Sequence, residues 1–263
     1  MEELRESGTL NLQPISDNTK ASILNQAILR SDTANEAEQL VLDIIENHLA
    51  NTETNAIVSD SISIGKLIHS ILQRNGRTNV EKVDELLTKM ERAAEEAPGI
   101  APHWSHFNMA IASYAKINDD RSAFDALELL RRQEQCFEAG NIRSIPGSYA
   151  YCSVLTQLAK NAKNNKKAGI NEMAHDVLMM MVRQVEQGNT RVNPSTIDYN
   201  IVIGLHANAR KRSATDKAMY LFRIMQAEKE AGNSSIPDVV TMSSLLNALI
   251  QAKDKRAPLV ALE

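Results

Sequence analysis

Two histidines three residues apart, His103 and His106, come nearest to a metal-ligand spacing. A zinc site needs three or four Cys, His or carboxylate ligands, and no further pattern completes this one. Surface or capping roles are expected for the pair, and no metal. The two cysteines, Cys136 and Cys152, form no CxxC. That excludes a disulfide framework and a Cys-rich zinc site, and favours a reducing compartment. There is no Gly-rich phosphate loop, no GxSxG and no kinase-like set. Met179-Met180-Met181 reads as helix filling, and His206 falls in an apolar column as a core-edge histidine. With no activated nucleophile and no cofactor box, binding is expected rather than catalysis: no enzyme, no cofactor, no small-molecule substrate. What the chain does offer is clustered charge. Arg210-Lys211-Arg212, Lys160 with Lys163, Lys253 with Lys255 and Arg256, and Arg74 with Arg77 would attract phosphates if the fold gathered them on one surface.

The elements that must position these groups are helices. The hydrophobic fraction of 43% is that of a folded chain, and ten Gly and seven Pro in 263 residues punctuate it sparsely. The net charge of −4 argues against a polyanionic partner if it is spread evenly, so its distribution matters. No apolar run approaches the roughly 20 residues that span a bilayer, and no membrane is expected. The acidic residues 1–10 lack an h-region and an Arg-rich amphipathic stretch, and so do not read as a targeting peptide.

Self-comparison reveals a repeat. With Pro102, Pro146, Pro194 and Pro237 as phase zero and Ser59 standing in for an earlier copy, the spacings are 43, 44, 48 and 43 residues. At plus five stand Ile64, Phe107, Tyr151, Tyr199 and Met242, and at plus nine Ile68, Ile111, Leu155, Ile203 and Leu246. Plus eight, twelve and thirteen are likewise largely apolar, which makes one face of an α-helix. A second helix follows, with Val83, Leu86, Leu87 and Met90, then Ala126, Leu129, Leu130 and Gln133, then Ala218, Leu221, Phe222 and Met225 at equal phases. Ala174, Val177, Leu178 and Met181 join that series after a four-residue shift, so the extra length of their unit lies in the polar turn at 161–167. An earlier copy is visible as Ala37, Leu40, Val41 and Ile44, after a weaker first helix at 21–29. Residues 256–263 match 121–128 at the same phase, so the last unit is expected to continue past Glu263. Stacked units must share the core, because no single pair of helices buries two apolar faces alone. The expected organisation is all-α: an N-terminal tail at 1–16, then a solenoid of tandem helix–turn–helix repeats over 17–263, five units and a final one cut within its second helix.

The segments at 194–226 (PSTIDYNIVIGLHANARKRSATDKAMYLFRIMQ) and 237–252 (PDVVTMSSLLNALIQA) resemble pentatricopeptide repeats. Weaker copies keep Phe107-Asn108 and Tyr151-Cys152. The resemblance covers about residues 59–263, and more loosely 17–58. The units are longer than the family's usual repeat, with the surplus in the inter-helix turn and after the second helix. Tetratricopeptide repeats are the nearest rival, but their Trp…Leu-Gly…Tyr signature is missing.

The resemblance implies a right-handed α-α superhelix that reads single-stranded RNA in a mitochondrion or chloroplast, one base per repeat. A polar residue of the first helix and the residue opening the next repeat would hydrogen-bond the Watson–Crick edge, while apolar neighbours sandwich the base. The first position falls at plus six: Gly65, Asn108, Cys152, Asn200 and Ser243. Its partner falls at plus one of the next copy: His103, Gly147, Ser195 and Asp238 for the first four. Asn200 with Asp238 is a familiar combination associated with uracil, flanked by Ile197 and Val240. The other three pairs match no familiar combination, and Ser243 has no following copy within the chain.

A second account of the same residues makes Asn200 a solvated helix residue and Asp238 an N-cap. Charge placement bears on the choice. The windows from plus one to plus nineteen hold 13 Lys and Arg against 6 Asp and Glu, so the rest of the chain carries −11. Stacked, these windows would form a basic ribbon that includes Arg210 and Lys211; the helix macrodipole also favours basic side chains at helix C-termini without any ligand. Three functions remain open: RNA binding, a protein-interaction scaffold using the same groove, and the recognition arm of a larger RNA-processing enzyme.

Overall fold

The computed structural model describes residues 61–73, 76–95, 101–117, 119–164, 169–230, 232 and 235–253. The earlier copy, Ser59, Arg74, Lys255, Arg256 and the unit end at 256–263 lie outside them. The described residues form nine α-helices and no strand: α1 Ser61–Gln73, α2 Arg77–Ala93, α3 Trp104–Tyr114, α4 Ser122–Glu138, α5 Ser148–Asn164, α6 Ile170–Glu186, α7 Thr196–Ala209, α8 Arg212–Glu230 and α9 Val239–Gln251. A short 3-10 turn, Ile142–Ser144, follows α4.

Odd-numbered helices are the first helices of the units and even-numbered ones the second, as the periodicity predicts. Phe107, Tyr151 and Tyr199 at plus five are buried, as are Ile68, Ile111, Leu155 and Ile203 at plus nine. The second-helix columns from Val83 to Met90, Ala126 to Gln133, Ala174 to Met181 and Ala218 to Met225 are buried throughout. Plus thirteen is the column that loosens, and Ile250 is 63% exposed, on a helix with described partners on one side only. Gln133 stands where the other units have methionine; it is buried and donates Nε2 to the Ser144 carbonyl at 3.1 Å.

Packing follows chain order. Each first helix meets the first helices of the adjacent described units (α1 with α3, α3 with α5, α5 with α7, α7 with α9) and, from α3 onward, the second helix of the unit before it. Polar clamps cross the same junctions. Arg132 of α4 reaches back to α2, pairing with Asp84 and, at 2.9 Å, with Glu91. Lys217 of α8 pairs with Glu172 of α6. Tyr151 Oη donates to Glu134 Oε1 at 2.5 Å, tying α5 to α4.

The surplus residues after the second helix have a structural task. At the end of α4, Gly140 takes φ 101°, a left-handed conformation that glycine adopts without a Cβ clash. Gly140 N–H bonds the Phe137 carbonyl and Asn141 N–H the Cys136 carbonyl, closing a Schellman cap. Asn141 Nδ2 then donates to the carbonyl of Pro102, the proline that opens the same unit, at 2.9 Å. Gly188 and Asn189 repeat this at the end of α6, with Asn189 Nδ2 on the Pro146 carbonyl at 3.1 Å. After α8, Ser235 Oγ takes the role, 2.7 Å from the Pro194 carbonyl. Each brace fixes where a unit ends against where it began.

Candidate nucleic-acid interface

The plus-one residues are helix caps. His103, Ser195 and Asp238 are the N-caps of α3, α7 and α9, and each shares a reciprocal capping box with the residue three further on. Ser195 N–H donates to Asp198 Oδ2 at 2.9 Å; Asp238 Oδ1 accepts from Thr241 N–H at 2.8 Å; His103 N–H donates to His106 Nδ1 at 3.2 Å. The two histidines are thus occupied at a helix start. Gly147 supplies no cap for α5; there the Ser148 N–H goes to the Arg191 carbonyl at 3.0 Å.

The plus-six residues face the start of the next first helix. Asn200 Nδ2 donates to Asp238 Oδ1 at 3.0 Å, and Asn200 Oδ1 accepts from Thr241 Oγ1 at 2.6 Å. The cap account of Asp238 holds, while the account of Asn200 as merely solvated does not: the two side chains are bonded to each other across 38 residues of chain. The Thr241 N–H, then the Asn200 amide, hold the Asp238 carboxyl below the ordinary carboxylate range. Gly65 lies beneath His106, whose Nε2 would be 3.8 Å from an added Cβ. Burial, and next the Asp198 carboxylate, push the Cys152 thiol up to about 12. Burial likewise pushes Cys136 up to about 11. Both thiols therefore stay protonated near neutrality, and alkylation of the folded chain is expected to run about 100-fold slower than in urea. Comparable rates measured with iodoacetamide would refute the burial.

Asn108 breaks the pattern. The residue equivalent to His106, Asp198 and Thr241 in the next unit is Ala150, which has no side-chain donor, and Asn108 Oδ1 is buried without a partner among the described residues. Such an acceptor typically costs about 1–3 kcal/mol. Ser243 is exposed and returns its hydroxyl to the Val239 carbonyl at 2.7 Å, an i−4 bond within its own helix.

The apolar flank is displayed. Ile197 is 70% exposed and Val240 57%. Tyr149 occupies the same plus-three phase and is 58% exposed. Sequence reasoning passed over it, although the column Ser105, Tyr149, Ile197, Val240 is legible once the phase is known.

The basic clusters stand apart from these groups. Arg210, Lys211 and Arg212 are exposed at the α7–α8 turn, with Arg210 left-handed at φ 52°. At 1.5 Å of rise per residue, Arg210 lies about 15 Å along the helix from Asn200. Lys160, Lys163 and Lys253 are exposed as well. Arg77 leaves the expected ribbon: it pairs with Asp119 at 2.8 Å, Asp125 at 2.7 Å and Glu81 at 3.4 Å, so its charge is spent inside the protein.

No protein-family model matches this chain, and no curated protein does. No described helix is long and apolar enough to cross a membrane.

Proposed function

We propose that this chain is a pentatricopeptide-like array, a right-handed solenoid of helical hairpins that binds single-stranded RNA without bond chemistry of its own, in the RNA metabolism of a mitochondrion or chloroplast. The observation that carries the reading is the bond between Asn200 and Asp238 across adjacent units, with Ile197 and Val240 exposed beside it. The capping box and the bond to Thr241 hold Asn200 and Asp238 in one geometry before any ligand arrives, which lowers the entropy lost on binding. An amide carries two donor hydrogens and a carbonyl, enough to read the edge of an unpaired base. Exposed apolar side chains on successive units supply the faces between which that base stacks, and Tyr149 adds an aromatic one. A protein-interaction scaffold using the same surface is favoured by the net charge of −4 and by the plus-six residues Gly65 and Cys152, which offer a base little.

Asn200→Ala is the test, because it leaves the Asp238 cap intact. Binding of short oligoribonucleotides that differ only in one uracil is measured by fluorescence anisotropy. The variant is expected to lose about 5–10-fold in preference for the uracil-containing strand, on the order of 1 kcal/mol. An unchanged preference rejects the reading. Salt-tolerant capture of a protein by a chain that shifts no oligonucleotide supports the scaffold instead.

A further inference from the structure

Two amides on α5 depart from the repeat. Gln157 and Asn161 stand eleven and fifteen residues past Pro146, and the same phases hold Ser113 and Ile117, Leu205 and Ala209, and Ala248 and Ala252 in the other units that open on proline. Both amides are buried, Gln157 at 4% exposed and Asn161 at 6%. Their nitrogens are spent on the unit before: Gln157 Nε2 donates to the Ile111 carbonyl at 3.1 Å and Asn161 Nδ2 to the Asp120 carbonyl at 3.0 Å. Those bonds fix how each amide is turned, and they leave Gln157 Oε1 and Asn161 Oδ1 buried without a partner among the described residues. Buried acceptors are nearly always satisfied. Here two stand one helical turn apart on one face of α5.

Gln157 and Asn161 line a cavity of about 540 Å³ between α5 and the turn that joins α3 to α4. Tyr114, Ala115, Ile117 and Ala123 give it an apolar wall, and the exposed Lys160 lines it as well. Two further polar side chains in the lining are engaged within the protein. Asp119 holds Arg77 and the N–H groups of Arg121 and Ser122, and Ser122 Oγ bonds the carbonyls of Ile117 and Asp119. Lys160 forms no ion pair among the described residues. The cavity therefore holds out a pair of acceptors and one ammonium. It lies at the far end of the first helix from the reading column, since Asn161 is about 13 Å along α5 from Cys152 at 1.5 Å of rise per residue.

We infer that this cavity binds a nucleotide whose base carries an exocyclic amino group, with Gln157 Oε1 and Asn161 Oδ1 accepting from that group and Lys160 holding the phosphate. The amino groups of adenine and cytosine each present N–H donors and no acceptor, the complement of two unpartnered carbonyl oxygens. A planar base has an apolar face to lay against Ile117 and Ala123. The volume falls within the roughly 300–1,000 Å³ of small-molecule pockets. Water also satisfies buried oxygens, but it makes no use of the apolar wall or of Lys160. The site goes beyond the reading column, and it stands whether or not Asn200 and Asp238 read RNA.

Binding of AMP, CMP, IMP and UMP to the full chain is measured by calorimetric titration, each up to roughly 1 mM. AMP and CMP are expected to bind on the order of 10-fold more tightly than IMP and UMP, which lack the amino group. Lys160→Ala, a change at an exposed residue, should weaken AMP binding about 5–10-fold. Gln157→Met keeps the side-chain volume and removes the acceptor; with its fold checked by circular dichroism, it should weaken AMP binding about 10-fold. Asn200→Ala should leave AMP binding unchanged. The trinucleotide ApApA separates the two sources of this chemistry. Lys160-dependent binding of ApApA supports the site and assigns it to a nucleotide within a strand, whereas Lys160-dependent binding of AMP without ApApA supports it for a free nucleotide. The site is overturned if neither AMP nor CMP binds, if IMP binds as tightly as AMP, if Lys160→Ala leaves the affinity unchanged, or if Asn200→Ala abolishes it.

Discussion

Phe107→Ala is expected to destabilise the protein by about 3–5 kcal/mol, a large share of the 5–15 kcal/mol that a folded domain typically has. Phe107 is fully buried on α3, a helix packed against α1, α2, α4 and α5. Removing the ring forfeits its transfer free energy and leaves a cavity that four flanking helices, themselves braced at Pro102 and Pro146, cannot close. The reporter is close by, since Trp104 opens the same helix. Urea unfolding followed by tryptophan emission should show a midpoint well below that of the wild type. A midpoint within the error of the wild type would mean that α3 is not packed as described. Helices α7 to α9 make their principal contacts away from α3, so far-ultraviolet circular dichroism should retain a separate, later transition if neighbours couple only locally.

The second large effect is an acid one. His206 is fully buried, and burial together with the neighbouring His175 brings its pKa down to about 4 from the ordinary 6.5. Its Nε2 lies 3.3 Å from His175 Nδ1, and its Nδ1 is 3.2 Å from Asn171 Nδ2. Glu172 on α6 favours the charged ring, and Lys217 on α8 opposes it. An unfolded chain takes up the proton near pH 6.5, whereas the folded chain resists it until about pH 4. Stability is therefore full above pH 6.5 and falls as the solution is acidified toward pH 4, by about 3 kcal/mol at 1.36 kcal/mol per pKa unit. His175, whose pKa is also lowered by burial, adds to the loss in the same direction. Glu91 and Glu134 work the opposite way, because burial raises their pKa and acid favours their folded state. Comparing the pH dependence of the urea midpoint in wild type and His206→Gln isolates the histidine. Parallel curves for the two proteins between pH 6.5 and 4 would show that His206 does not resist protonation in the fold.

The repeat phase, the helical periodicity and the buried columns were legible in residue types alone, because a helix that buries one face must place apolar residues at i, i+3, i+4 and i+7 whatever lies beside it. Ile68, Ile111, Leu155 and Ile203 carry that signal in four of the five described first helices, and so do the residues at Val83, Leu86, Leu87 and Met90 and their equivalents in the second helices. The plus-six and plus-one residues were also named in advance, since they follow from phase. Their pairing was named through the resemblance, but whether the paired side chains bond each other was not. That Asn200 bonds Asp238 while Asn108 meets an alanine depends on which side chains oppose one another 38 to 42 residues apart, and local pattern carries no such information. Charge misled for the same reason. Arg77 sits in a basic stretch, yet Asp119 and Asp125, brought to it by the stacking of α4 on its neighbours, neutralise it. Arg191 looks unremarkable in sequence because it is a single basic residue; the Asn189 brace beside it, and with it the stacking on Trp104, exists only when the unit's end folds back on its opening proline. Periodicity is a property of one helix and can be read from one strand of text, whereas partnership is a property of two surfaces and is decided when they meet.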